Sequence, residues 1–242
     1  ENYAREVMQL FSIGLQQLNR DGTPKLVDGQ PVPTYGPADI AGLAKVFTGF
    51  SFACPAFPDS NCFRWGMKGT SADPDRHFKP MVGYPQFHST EEKVFLSATI
   101  AAQTQSNPGA SLKTALDTLY NHPNVGPFIG KQLIQRLVTS NPSPAYVGAV
   151  AAAFNNNGRG VRGDLRAVIK AVLLHPEARV VSTSSGKIRE PILRLSAVLR
   201  AFGFRSDSGN FRVGNTDNAG TSLGQTAMRS RTVFNFYPPG YV

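Results

Sequence analysis

Between residues 105 and 203, apolar side chains recur every three to four positions, and short links rich in Pro, Asn and Gly separate the runs. No other feature constrains the chain as much. That period buries one stripe of a helix, and links this short return consecutive helices as antiparallel neighbours. The spacing predicts helices over 111–121, 123–137, 145–154 and 164–174, the last capped by Asp164. Ile188, Ile192, Leu195, Leu199 and Phe202 continue the pattern and predict a stripe buried in the main core.

Upstream, Tyr3, Val7, Leu10, Phe11 and Leu18 predict a first helix over 2–17, with Gly14 on the same stripe. Lys25–Val32 reads as a small hairpin turning at Asp28-Gly29. Pro37 opens a helix that Gly49 ends. Residues 50–90 form a long irregular segment, 91–104 read as helical, and 222–229 as a short helix. The fold expected is mainly α: one domain over 1–242, a multi-helix orthogonal or antiparallel bundle of about eight helices with long loops and one hairpin. Of 242 residues, 41% are apolar and 17% charged, with 23 Gly and 18 Pro, which excludes a coiled coil, a collagen and a wholly disordered chain. No apolar run is long enough to span a bilayer.

Cys54 and Cys62 flank a short loop holding two prolines and an Asn, at a spacing that suits neither a zinc site nor a thioredoxin-like motif. A disulfide is the expected state, and with it an oxidising, extracytoplasmic location. The net charge of +9 comes from residues 129–205, which hold all of the basic excess. These cations are scattered, so nucleic acid is a poor match. Only Arg159, Arg162 and Arg166 cluster, beside the glycines of Gly158–Gly163, where a turn before a helix could hold an anion.

Chemistry-bearing residues are few. His122 and His175 each precede a proline and read as helix-end caps. His77 and His88, with Asp73, Asp75, Glu91 and Glu92 nearby in sequence, are candidates for a divalent metal or for general acid–base work, although no metal or cofactor motif frames them. No serine carries a nucleophile elbow. Aromatics crowd the loop (Phe50, Phe52, Phe57, Phe63, Trp65) and the tail (Phe234, Phe236, Tyr237, Tyr241). They suit either a sugar platform or clamps on irregular backbone.

Several blocks together carry a resemblance: Glu1–Glu6 with Leu10–Gly14, Tyr35–Ile40 with Ala44–Gly49, His88–Lys93, Asn121–Ile129, Gln132–Val138, Arg189–Pro191 and Ser230–Pro238. In this order the chain resembles the bacterial family of uncharacterised proteins called DUF1800. The resemblance implies correspondence to the C-terminal half of longer, often exported proteins. The rest of a parent chain, or another exported protein, would then be its partner. It singles out Asn2, Arg5, Glu6, His88, Lys93, Asn121, His122, Arg136, Arg189 and Glu190. Ser89 and Glu91 stand where that family often has Asp and Gly.

Three functional readings follow. The first is an exported helical module with a binding or assembly role. The second is a hydrolase of an extracellular ester, glycan or peptide, with Glu6 or His88 as general base and Arg5 or Lys93 holding an anionic intermediate. The third is a polyanion-binding module using Arg159, Arg162 and Arg166. Arg5–Glu6 and Arg189–Glu190 also predict a cross-helix salt bridge from Glu6 or Glu190 to a distant Arg.

Overall fold

A computed structural model describes residues 1–180, 187–209, 214–230, 232–233 and 236–237. Its helices are α1 (Asn2–Gln9), α2 (Pro37–Val46), α3 (Ser60–Trp65), α4 (Pro108–Asn121), α5 (Val125–Leu137), α6 (Pro144–Asn155), α7 (Leu165–Leu174), α8 (Pro176–Arg179) and α9 (Pro191–Ala201). Four antiparallel pairs accompany them: β1 (Leu26–Val27) with β2 (Gln30–Pro31), β3 (Phe50–Ser51) with β6 (Val82–Gly83), β4 (Met67–Lys68) with β5 (Ser71–Ala72), and β7 (Lys93–Phe95) with β8 (Ala98–Ile100). The chain is therefore mainly α with small hairpins, more of them than the one expected.

Local chemistry explains the helix boundaries. Proline occupies the first turn of α2, α4, α6, α8 and α9, where its missing N–H costs no hydrogen bond. Asn107, Ser143 and Asp164 cap α4, α6 and α7 with side-chain oxygens. One contiguous apolar cluster runs from Ala4 and Met8 of α1 through Leu43, Phe95 and Leu119 to Tyr146, Val150 and Val172. Within it α6 packs against both α5 and α7, while α2 lies across α1, α4 and β7.

The first helix is shorter than its pattern suggests. It ends at Gln9, and the N–H groups of Ile13 and Gly14 both turn back to the Met8 carbonyl. The buried face is Ala4 and Met8, leaving Tyr3 and Phe11 largely exposed.

Residues 91–104 are not helical. Lys93 and Phe95 point inward while Val94 points out, a period of two rather than 3.6. Lys93 pairs with Ile100 and Phe95 with Ala98, and Leu96 takes a positive φ in the turn. A short run holding Val94, Phe95, Thr99 and Ile100 favours strand, which the looser apolar spacing concealed.

Segment 50–90 is better organised than an irregular loop. Phe57, Phe63, Tyr84 and Phe87 pack ring on ring with centroids 5.1–6.2 Å apart, and Phe63 and Phe87 stack at 5.5 Å. The Tyr84 hydroxyl donates to the Phe52 carbonyl and accepts from Cys54 N–H. Cys54 and Cys62 sit at bonding distance with their Cα atoms 5.3 Å apart. These aromatics clamp backbone, except Trp65, which stays exposed.

The stripe on α9 also departs from expectation. The helix forms, but Ile192, Leu195 and Leu199 are only half-buried and Phe202 is 77% exposed, outside the main cluster. Helical periodicity reports an amphipathic face; it does not say what covers that face. Residues 222–229 form turns rather than a helix. Of the tail aromatics, Phe236 and Tyr237 meet edge to face at 4.9 Å, while Phe234 and Tyr241 lie outside the described residues.

Candidate functional site

The 88–93 loop builds its polar centre where α2 ends. Gly49 has φ +78°, and a Cβ there would meet His88 N at 2.8 Å, so only glycine lets the loop cross so close. His88 is then pinned from both sides. Its Nδ1 lies 2.9 Å from the Thr48 carbonyl and its Nε2 lies 3.0 Å from Ser111 Oγ on α4. A carbonyl only accepts, so Nδ1 carries the hydrogen and Nε2 accepts from the Ser111 hydroxyl. Thr48 Oγ1 in turn accepts from Ser89 N–H at 2.8 Å.

Lys93 leaves the same loop in the opposite sense. Its side chain is fully buried, and Nζ donates to the carbonyls of Ser89 at 2.7 Å and Glu91 at 3.1 Å. Burial lowers its pKa first and the neighbouring Lys45 lowers it further, while Glu91 opposes both. Glu91 pairs with Lys45 at 2.6 Å, which holds its carboxyl below the ordinary range. Lys93 therefore tightens a loop by binding its carbonyls.

A hydroxyl, an imidazole and an orienting carbonyl in line have the order of an activated nucleophile. Ser111 is 1% exposed and His88 5%, so this arrangement is closed to solvent. Sequence reasoning found His88 but not Ser111, because a serine in a helix first turn carries no distinguishing motif.

Arg5 and Glu6 come together elsewhere, around Tyr35. Burial pushes the Tyr35 phenol up, Arg5 opposes that shift and Glu6 adds to it. The Tyr35 hydroxyl is buried without a hydrogen-bond partner among the described residues. Tyr35 precedes α2 whereas Thr48 and His88 lie past its end, and no hydrogen bond or ion pair among the described residues joins Glu6 to His88. The predicted salt bridge is also missing there: neither Glu6 nor Glu190 pairs with an Arg. Instead Glu190 accepts from Gln225 Nε2 at 2.7 Å, and Gln225 Oε1 accepts from Ile192 N–H at the start of α9.

The two histidines of the candidate metal pair are engaged by different partners. His77 is exposed, receives a hydrogen bond from Arg76 Nε and packs edge-on against Phe52, whereas both nitrogens of His88 are engaged. No group of three or more metal-ligating side chains occurs among the described residues.

The arginine cluster also divides. Arg159 and Arg166 face solvent, but Arg162 turns inward. Its guanidinium donates to the carbonyls of Tyr120 and His122 at 3.0–3.1 Å and to Asn155 Oδ1, and it lies 4.9 Å over the Phe154 ring. It satisfies the open carbonyl end of α4. The turn amides of Gly158, Arg159, Gly160 and Val161 are taken by the side chains of Asn156 and Asn157. The Asp164 carboxylate fills the N-terminus of α7, its pKa held down by Asn157 and the amides of Ala167 and Arg166. An anion would find those donors occupied.

His122 and His175 both sit at helix ends, but only the His175 ring caps a helix, and both rings accept rather than donate. His122 Nδ1 accepts from Asn124 N–H and His175 Nδ1 from Glu177 N–H. Burial, then Lys25 and Arg162, lower the His122 pKa.

A further concavity lies elsewhere among the described residues. The segment after α1 lies along α5, and between them runs an apolar groove of about 670 Å³. Asn124, 1% exposed, fixes that segment: its Oδ1 accepts from Leu18 N–H, and its Nδ2 donates to the carbonyls of Ile13 and Gln16. Gln132 Nε2 adds a bond to the Leu10 carbonyl. Sequence reasoning missed Asn124, because a buried amide serving distant backbone looks like any turn residue before a helix.

The sequence profile of the family described as "Protein of unknown function (DUF1800)" matches residues 1–242. The chain belongs to the DUF1800 family. No curated protein and no solved structure matches it. For this DUF1800 chain, function has to be argued from the groove and the polar centre. Among the described residues no helix is long and apolar enough to cross a membrane.

Proposed function

We propose that this DUF1800 chain is a binding or assembly module of an extracytoplasmic protein. One observation carries the reading: the groove along α5 is apolar and lined by no carboxylate, imidazole, hydroxyl or thiol among the described residues. Such a surface suits holding a partner better than chemistry, since Lys131 is the one lining side chain among the described residues that could act as a base or nucleophile. The half-covered stripe of α9 supports the same reading. Another exported protein, or other parts of a longer parent chain, is the partner this implies. The Cys54–Cys62 pair supports the extracytoplasmic location.

A photoreactive phenylalanine at Phe11, Leu199 or, as control, exposed Lys113 tests it in the producing cell. A discrete crosslinked species from 11 or 199, absent from 113, is expected. Equal crosslinking at all three positions, or none at 11 and 199, refutes the reading.

The hydrolase alternative rests on the Ser111–His88–Thr48 line. It requires a fluorophosphonate probe to label the native chain at Ser111, with labelling lost in His88→Gln.

A further inference from the structure

The groove between the post-α1 segment and α5 has a chemical bias beyond being apolar. Phe11, Leu15, Phe128 and Leu133 supply its walls, and Lys131 and Arg136 stand among them. Neither cation has an ion-pair or hydrogen-bond partner among the described residues. Lys187 adds a third positive charge beside Arg136: its Nζ donates to the Gln135 carbonyl at 2.6 Å, and burial, then Arg136, lower its pKa while the Glu190 carboxylate opposes them. No Asp or Glu is among the described residues that line the groove. The cations also sit where the local basic excess of the chain is concentrated.

The groove is built before anything occupies it. Asn124 and Gln132 tie one wall to the other through one backbone N–H and three backbone carbonyls 106–122 residues away in sequence. A preformed wall needs little ordering on binding, so apolar anchors gain most of their transfer free energy.

We propose that this groove docks a segment of a partner protein in which Leu or aromatic anchors alternate with Asp or Glu. Apolar anchors fill the space between Phe11 and Phe128, and the carboxylates answer Lys131 and Arg136. A neutral segment would leave the two cations desolvated and unpaired at the rim, and a basic one would meet like charge. This inference rests on the binding-module reading and specifies the chemistry of its partner.

The test lets the groove choose. The whole chain, immobilised through a surface tag, is panned against a display library of 16-residue peptides, and the enriched sequences are synthesised for fluorescence anisotropy. Acidic–apolar peptides are expected to win, to compete with one another and to bind saturably. Lys131→Glu with Arg136→Glu should weaken them roughly tenfold or more, and swapping the peptide acids for Lys should recover the loss. Phe11→Asp should abolish binding, with circular dichroism melts confirming that each variant folds. Three results overturn the proposal: no enrichment, enrichment of neutral or basic sequences, or winners indifferent to the Lys131 and Arg136 changes. Preferential binding to phosphatidylglycerol vesicles through the same two cations also overturns it, by making a membrane the partner. Crosslinks from position 11 combined with non-acidic winners would refute this inference alone and leave the binding-module reading standing.

Discussion

Gly42→Ala is the sharpest test of how the candidate site is held, because two effects of opposite sign compete there. Gly42 lies inside α2, where alanine normally stabilises a helix by about 1 kcal/mol relative to glycine. Here the helix presses on β7, and a Cβ would stand 1.7 Å from the Val94 carbonyl oxygen and 2.6 Å from its carbon. Real Cβ contacts essentially never fall under 3.0 Å, so α2 and β7 must part by at least 3.0 minus 1.7, or 1.3 Å. Those atoms are backbone, so no rotamer change can absorb the clash. Parting them stretches the Leu96 N–H to Asp39 Oδ1 bond, now 2.5 Å, and the Lys45 Nζ to Glu92 carbonyl bond, now 3.2 Å. It also opens space between Leu43 and Phe95 in the main cluster. Overpacking costs about 1–3 kcal/mol or more, and each lost hydrogen bond adds about 1 kcal/mol. Set against the propensity gain, the net is destabilisation of about 2–4 kcal/mol, a fall in Tm on the order of 10 °C for a chain this long. Differential scanning calorimetry reads it directly. Gly109→Ala is the control: it lies in the first turn of α4, its nearest neighbour would be Asn107 Oδ1 at an unstrained 3.7 Å, and it should hold or raise the Tm. A Gly42→Ala protein melting at or above wild type would show that α2 does not seat on β7 as described.

Three further outcomes follow from the same structure. Asn124→Ala strands the Leu18 amide and two carbonyls, and denaturant titration should show a loss of about 2–4 kcal/mol, moderated by water reaching the segment. Arg162→Lys keeps the charge but loses the planar fork over Tyr120 and His122, and should cost about 2 kcal/mol in the same assay, whereas Arg159→Lys should cost nothing measurable. Lys93 has a folded pKa below its unfolded value, so the unfolded chain binds more protons between those two values and stability rises with pH across that window. Lys93→Met should flatten that rise in a pH series of melts; an unchanged slope would mean the buried ammonium is not what titrates.

How much of this was readable beforehand depended on what each residue answers to. The caps and starts of α6 and α7 answer to neighbours within a turn, and Pro144 and Asp164 mark them in the sequence, whereas α4 opens at Pro108, three residues before the expected start. The Cys54–Cys62 pair answers to a loop of eight residues' separation and was equally plain. The 93–100 hairpin was not, because its inward Lys93 breaks the apolar alternation that signals a strand, and only distant packing lets a lysine point in. Burial of α9 failed for a different reason. A 3–4 period states which side chains share a face, and Gln225 from a remote turn, rather than the main cluster, meets the start of that helix. Arg162 and Ser111 show the limit most clearly. One reads as a surface charge and the other as a filler, and each is defined by a partner 23 to 42 positions away.

The Asn124 tether has a consequence for how the chain acquires its shape. Helices α5, α6 and α7 contact mainly sequence neighbours, so they can collapse early and at small entropic cost. The segment 10–18 gains much of its place by crossing more than a hundred residues to the side chains of Asn124 and Gln132. It is a late arrival, held to α5 by a few long-range bonds, and local opening should release it before the helical layer loosens. In native-state hydrogen exchange the Leu18 amide would then exchange through that partial opening, at a lower free energy than the amides of α6. A groove with one wall closed by such a latch is the last surface to form and the first to be lost.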